Sequence, residues 1–341
     1  MAPAKPVPDS LRELRAALDA MRERLASTPE RSGDYVELYV SCTDLLCLVE
    51  ARIRELDPDA ALAAEQLASV CILLGPYRNL TTLTSSVLGL HPQCAVLNHA
   101  GRRTLRNPRL NFLANRSLAT FAEFVRYAGF AARAGARGMH GGDIRLSHAF
   151  DRAAMREADA KLRGARAEPA RCLVWKESQH VGNFLRAARI DVRELLAAIP
   201  RLRFLLPIRN PIDCAMSNLR RGHVHALGVH HGVSKSSALD AVVAAVLDEI
   251  AWFFALRDAS GRPDCFCHYF EHEMGRELLE RLLRFLDLPA DETYFTTAAE
   301  VFKADPAPGK DARVLERYAE LVRQKFAQMP ELRDSLLRFA R

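Results

Sequence analysis

Val70-Cys-Ile-Leu-Leu74-Gly75-Pro76-Tyr77-Arg78-Asn79-Leu80-Thr81-Thr82-Leu-Thr-Ser-Ser-Val-Leu-Gly-Leu-His91-Pro92 decides the fold. The apolar run from Val70 to Leu74 has the length of a buried strand. Gly75-Pro76 breaks it. From Thr81, Leu83, Val87, Leu88 and Leu90 recur at helical spacing until His91-Pro92 stops the helix. A strand, a tight turn and a helix start present free backbone N–H groups and a positive dipole end to an anion. Arg78 adds a fixed charge, and Thr81 and Thr82 add hydroxyls. The stretch reads as a phosphate cradle or as an ordinary βα unit of a parallel sheet.

Outward from it, the 341 residues are 49% hydrophobic, enough for a large core. The net charge of +6 suits anionic ligands, but it is the balance of 48 basic and 42 acidic residues spread along the chain. A nucleic-acid partner would call for a tighter basic block, so none is expected. No apolar run reaches the ~18 residues of a membrane span. The Pro-rich start, Met1 to Asp9, lacks an apolar leader core, so the expected location is cytoplasmic. Eight cysteines form no CxxC pair and read as buried thiols; Cys265 and Cys267 are expected on one face of a strand.

Residues 1–68 read as an N-terminal helical extension and 69–341 as the α/β domain. Leu11, Leu14, Leu18, Met21 and Leu25 make one apolar stripe, and Tyr35 to Ile53 another. This antiparallel pair packs on the main domain or forms a homodimer surface. Residues 101–170 are an Arg- and Gly-rich insertion of the kind that becomes a lid or substrate wall. Its arginines could meet an acidic acceptor, with a solvated surface as the default for most.

Two further strands follow, Arg171 to Trp175 with Lys176, Glu177 and His180 beyond it, and Leu202 to Ile208. The second runs into Arg209-Asn210-Pro211-Ile-Asp213, with Ser217 on the departing helix. Asn210 fits an N-cap and Pro211 the first helical position. Arg209 and Ser217 can reach one phosphate from there. His223, His225, His230 and His231 read as a loop lining the acceptor cleft, with a metal site as the alternative.

The paired junctions resemble the sulfotransferases that use 3′-phosphoadenylyl sulfate (PAPS). Arg78, Thr81, Thr82 and His91-Pro92 match the family's 5′-phosphosulfate loop, and Arg209, Pro211, Asp213 and Ser217 match its 3′-phosphate motif. Trp175-Lys176 resembles the strand ending in a lysine, and Glu271 with Leu282 to Pro289 the C-terminal strand, Glu and Leu-Pro helix end. The likeness covers about residues 69–310. It implies a three-layer P-loop-like α/β fold with a central parallel sheet. Two departures stand out: Leu80 replaces the family's Gly, and Asn79 its usual Ser or Gly.

The resemblance implies metal-free transfer of a sulfuryl group from PAPS to a hydroxyl or amine of a saccharide, lipid or small-molecule acceptor. Arg78, Asn79, Leu80, Thr81, Thr82, Arg209 and Ser217 would bind the cofactor. Arg78 and Lys176 would stabilise developing charge, and His99 would be the base, with Glu177 and His180 as rivals. Leu80 keeps open a nucleotide-binding protein without catalysis. A P-loop kinase is a further alternative, although Leu80 and Thr81 break the GxxxxGK[ST] frame and no strand ends in a Mg²⁺-binding Asp.

Overall fold

The computed structural model describes residues 64–134, 142–163, 169–304 and 309–340, with six positions between 13 and 27. Most of the N-terminal pair and its proposed dimer surface lie outside the described residues. Just before the expected boundary at residue 68, the described residues form a 3-10 turn, Ala64–Gln66.

β1 (Ser69–Leu73) is buried along its whole length. It is followed by α1 (Thr81–Leu88), β2 (Cys94–Asn98), α2 (Gly101–Arg106), α3 (Phe112–Asn115) and α4 (Leu118–Ala134). Then come β3 (Gly142–Asp143), α5 (Ala153–Arg163), β4 (Cys172–Lys176), α6 (Gln179–Ala187) and α7 (Val192–Ala198). β5 (Leu202–Ile208) leads into α8 (Pro211–Arg221), α9 (Val224–His231) and α10 (Leu239–Ser260). β6 (Phe266–Phe270) precedes α11 (Arg276–Phe285), α12 (Glu292–Val301), α13 (Ala312–Lys325) and α14 (Pro330–Leu337).

Among the described residues the strands form one sheet in the order β3-β2-β4-β1-β5-β6. Every neighbouring pair is parallel except β2 with β3. The two-residue antiparallel edge β3 carries too little periodicity for the sequence to reveal it. β1 lies between β4 and β5, so the crevice beyond its carboxyl end is flanked by both neighbouring strand-to-helix junctions. The register sets Leu73 and Asn98 level with Lys176, so three junctions open at one height.

Alternate side chains of the strands feed two cores, which makes three layers. Ile72, Trp175, Phe204 and Leu206 pack with Phe124, Leu195, Phe253 and Val322 on one face. Leu73, Val174 and Leu205 pack with Val87, Met155, Leu282 and Phe295 on the other. Each such side chain contributes roughly 1.5–3 kcal/mol when fully buried. Cys265 and Cys267 correct the expectation of a shared face: they fall in opposite cores because the strand begins only at Phe266.

The candidate active site

A cavity of about 850 Å³ opens at the carboxyl ends of β1, β2, β4 and β5. Arg78, Leu80, Thr81, Thr82, His99, Lys176 and Arg209 line it, so seven of the nine residues singled out from sequence meet there. The other two, Asn79 and Ser217, are buried behind its wall.

The loop after β1 is wound unusually. Gly75 has φ 101°, Arg78 φ 66° and Leu80 φ 62°. A Cβ at Gly75 would lie 2.4 Å from Leu206 Cδ1, so both space and dihedral call for glycine. Leu80 holds the left-handed conformation that glycine would adopt more readily, and α1 starts directly after it. The Gly-to-Leu departure therefore leaves the turn in the left-handed region and places a side chain on the cavity wall. His99 and Ala100, with φ of 69° and 81°, and Ser178, with φ 56°, repeat the pattern at the other two junctions. Among the described residues, these make five of the eight non-glycine positions with positive φ. Strain of this kind persists where surrounding structure over-determines it and gathers at functional sites.

Asn79 is a strut. Its Nδ2 donates to the Pro207 carbonyl, and its Oδ1 accepts from Arg209 N at 2.9 Å. Both ends of the amide are thus committed to the end of β5, which is why this expected cofactor ligand does not reach the cavity. Arg78 Nε donates to Ser217 Oγ at 2.9 Å, and Arg209 Nη1 to the Arg78 carbonyl at 3.3 Å. Asn218 Nδ2 donates to the Tyr77 carbonyl at 2.7 Å. The two junctions recognised in sequence are therefore stitched together side by side.

The helix after β5 is built as expected. Asn210 Oδ1 accepts from Ile212 N at 3.0 Å, and Pro211 opens the helix. Glu271 Oε2 accepts from Asn210 N at 2.8 Å, so the C-terminal Glu fixes the same junction. Asp213 in the first turn pairs with Lys310 at 3.1 Å. His91 Nε2 meets the Pro289 carbonyl at 3.2 Å, so the His-Pro and Leu-Pro motifs support each other away from the cavity.

The polar groups on the β2 and β4 side fall into two sets. Trp175 Nε1 donates to the His99 carbonyl at 2.7 Å and holds that residue in its left-handed turn. His99 Nε2 then lies 3.4 Å from Lys176 Nζ. Glu177 is buried, accepting from Gly101 N at 2.8 Å and meeting His180 Nδ1 at 2.8 Å. A Cβ at Gly101 would lie 2.5 Å from Glu177 Cδ, so only glycine lets the carboxylate in. His180 lines the cavity, edge-on to Tyr77. His223 and His225 also line it, from the start of a helix rather than from the expected loop. His231 turns away to Glu249 Oε1 at 2.7 Å. Among the described residues no three His, Cys, Asp or Glu gather to hold a metal ion.

The electrostatics are one-sided. Burial lowers the proton affinity of Arg78, and neighbouring Arg209 and Arg221 lower it further. Burial and then Arg78 likewise depress the His223 pKa. Among the described residues that line the cavity there is no Asp or Glu. Arg209 Nε is buried with no hydrogen-bond partner among the described residues. Such a wall is poised for an anion.

No family model and no curated protein matches the chain. Among solved structures it is similar to a mouse sulfotransferase complexed with PAP, at 11% identity over 82% of this chain and 94% of that one, TM-score 0.41. A sulfotransferase from Mycobacterium avium shares 15% identity over 95% of this chain and 91% of its own, TM-score 0.41. The sulfotransferase domain of a Synechococcus olefin synthase shares 14% over 76% and 94%, TM-score 0.34. All three are sulfotransferases.

Sequence reasoning missed Arg102, His148 and Arg152, which also line the cavity. Their only signal was membership of the Arg-rich insertion, where nothing distinguished them from arginines that serve packing.

Proposed function

We propose that the chain is a PAPS-dependent sulfotransferase. The observation that carries the reading is the seam between the two junctions. Arg78 and Arg209 converge on one cavity, joined through Ser217 and the Arg78 carbonyl. The residues fit the group: the surplus of positive charge, and an Arg209 Nε without a hydrogen-bond partner among the described residues, suit a nucleotide with phosphate at both ends. Arg209 would take the 3′-phosphate, with Ser217 behind the wall orienting Arg78 through its hydroxyl. Arg78, Thr81, Thr82 and the first N–H groups of α1 would take the 5′-phosphosulfate. PAPS supplies the sulfuryl group that is transferred.

Lys176, buried at the end of β4, is held to stabilise charge on the transferred group. The acceptor proton is assigned to His180 rather than His99. Glu177 fixes Nδ1–H of His180 and leaves Nε2 as the basic atom. His99 Nε2 is instead turned toward Lys176 Nζ, 3.4 Å away. Glu177 itself is buried in bonds to Gly101 and His180, away from the cavity. The kinase alternative is disfavoured by strand ends that carry Lys176 and Arg209 where a phosphate-bound Mg²⁺ would need a carboxylate.

The test is transfer from sulfur-labelled PAPS to a panel of hydroxyl and amine acceptors in the presence of EDTA. Label moving to an acceptor supports the reading. PAPS binding with no transfer to any acceptor would favour a nucleotide-binding protein, and Mg²⁺-dependent ATP turnover without PAPS binding would favour the kinase.

A further inference from the structure

Among the described residues, two that line the cavity carry a buried side-chain atom with no hydrogen-bond partner: Arg209, through Nε, and Asn98, through Oδ1. The first belongs to the phosphate grip. Asn98 has no such role. It is 2% exposed, and a buried amide oxygen left without a bond costs stability, so packing alone does not explain it. Other buried asparagines show the usual state. Asn79 commits both ends of its amide to the end of β5. Asn111 donates to the Leu105 carbonyl at 2.8 Å and accepts from Ala114 N at 3.1 Å.

The topology says what Asn98 faces. It is the last residue of β2 and pairs in register with Lys176, the last residue of β4. Val96 and Val174 share one core, so two residues further along their strands Asn98 and Lys176 share that same face. His99 N donates to the Lys176 carbonyl at 3.0 Å, which carries the ladder past Asn98 and fixes its backbone. Across the sheet, the cavity groups therefore run from Asn98 on β2 to Lys176 on β4, then to the Arg78 loop after β1 and to Arg209 after β5. The last two belong to the grip assigned above to PAPS, and Lys176 to the transferred group. Asn98 lies one strand beyond Lys176, a spacing of about 4.8 Å, on the side away from both phosphate junctions. A molecule receiving the sulfuryl group sits on that side.

Resting on the PAPS reading, we propose that Asn98 reads the acceptor by hydrogen-bonding a second hydroxyl beside the one that is sulfated, so that the acceptor is a vicinal diol of the kind a saccharide or other polyol presents. An amide both donates and accepts, as a hydroxyl does. The last torsion of an asparagine side chain is soft, so either end of the amide can turn to the cavity. A lone alcohol would leave the amide buried without a bond, and a site built to hydrogen-bond a substrate hydroxyl rejects the analogue that lacks it. Saccharides and polyols fit; a lipid monoalcohol does not.

The test uses the full chain saturated with PAP and compact probes: cis- and trans-cyclohexane-1,2-diol against cyclohexanol. Binding is read by ligand-observed NMR titration, PAP affinity by calorimetry and folding by thermal melt. At least one diol should bind about tenfold or more tightly than cyclohexanol, although the monoalcohol is the more apolar probe. Asn98→Ala should abolish that preference and leave PAP affinity within about twofold. Its melting temperature should stay within about 3 °C of the wild type, because the oxygen it removes has no partner among the described residues. Equal or absent binding of diols and monoalcohol overturns the proposal. So does a preference that survives the variant, or a larger fall in melting temperature, which would make Asn98 a packing residue. A loss of PAP affinity in the variant would assign Asn98 to the cofactor and overturn it too. A wild-type chain that does not bind PAP at all fails the PAPS reading instead.

Discussion

Asn79→Ala probes the strut that joins the two junctions. The side chain is 1% exposed, and its amide donates to the Pro207 carbonyl and accepts from Arg209 N at 2.9 Å. Each bond is worth about 0.5–1.5 kcal/mol net, and leaving either partner buried without a replacement costs about 1–3 kcal/mol. Water entering the small space left by the amide recovers part of this. A loss of about 2–4 kcal/mol of stability is expected, a large share of the ~5–15 kcal/mol typical of a folded domain. Urea denaturation of the wild type and variant measures it. The same substitution frees the backbone that aims Arg209, so PAP affinity should fall about tenfold even though Asn79 does not line the cavity. Asn79→Asp keeps an acceptor for Arg209 N but cannot donate to Pro207, and should also destabilise the fold. Stability within about 0.5 kcal/mol of wild type together with unchanged PAP affinity would refute the strut.

Other outcomes follow from the same geometry. Leu80→Gly relieves a left-handed residue costing about 1–2 kcal/mol but adds about 0.5–1 kcal/mol of unfolded-state entropy; a small net stabilisation is expected, and clear destabilisation in a thermal melt would count against the strained turn. Burial holds the His268 pKa down at about 4, so the unfolded chain takes up a proton first as pH falls below about 6.5. Stability is then lost between about pH 6.5 and 4, by about 3 kcal/mol from this group; His268→Phe, packed between Phe254 and Phe270, should flatten that slope in denaturation curves. Lys176→Ala should slow transfer by about a hundredfold or more, a barrier change of about 3 kcal/mol, in single-turnover assays with PAPS bound.

The sequence carried the parts that repeat a physical pattern. The unbroken apolar run of β1, the Asn210 cap with Pro211, and the spacing of Arg209 to Ser217 each signal one local structure, and each forms. Asn79 was harder to read, because an amide beside a phosphate loop suits a ligand and a strut alike. Only the position of Pro207 and Arg209, some 130 residues on, decides between them. Glu177 and His180 stood as separate rivals to His99 because both lie beside Lys176; in the fold they are partners, and the left-handed turn at His99 and Ala100 brings Gly101 N–H to the same carboxylate. The part of the cavity wall that comes from the insertion was the least legible. Arg102 and Arg103 are adjacent, and only the direction of α2 sends one to the cavity and the other onto Tyr77.

The central claim is that the seam between the β1 and β5 junctions grips a nucleotide with phosphates at both ends. Calorimetric titration with adenosine 3′,5′-bisphosphate in EDTA, on the wild type and on Arg209→Ala, tests it most directly. Binding by the wild type that weakens about tenfold to a hundredfold in the variant is the expected result, the loss of a charge-assisted contact worth about 1.5–3 kcal/mol. No binding without Mg²⁺, or equal binding by both proteins, would contradict it.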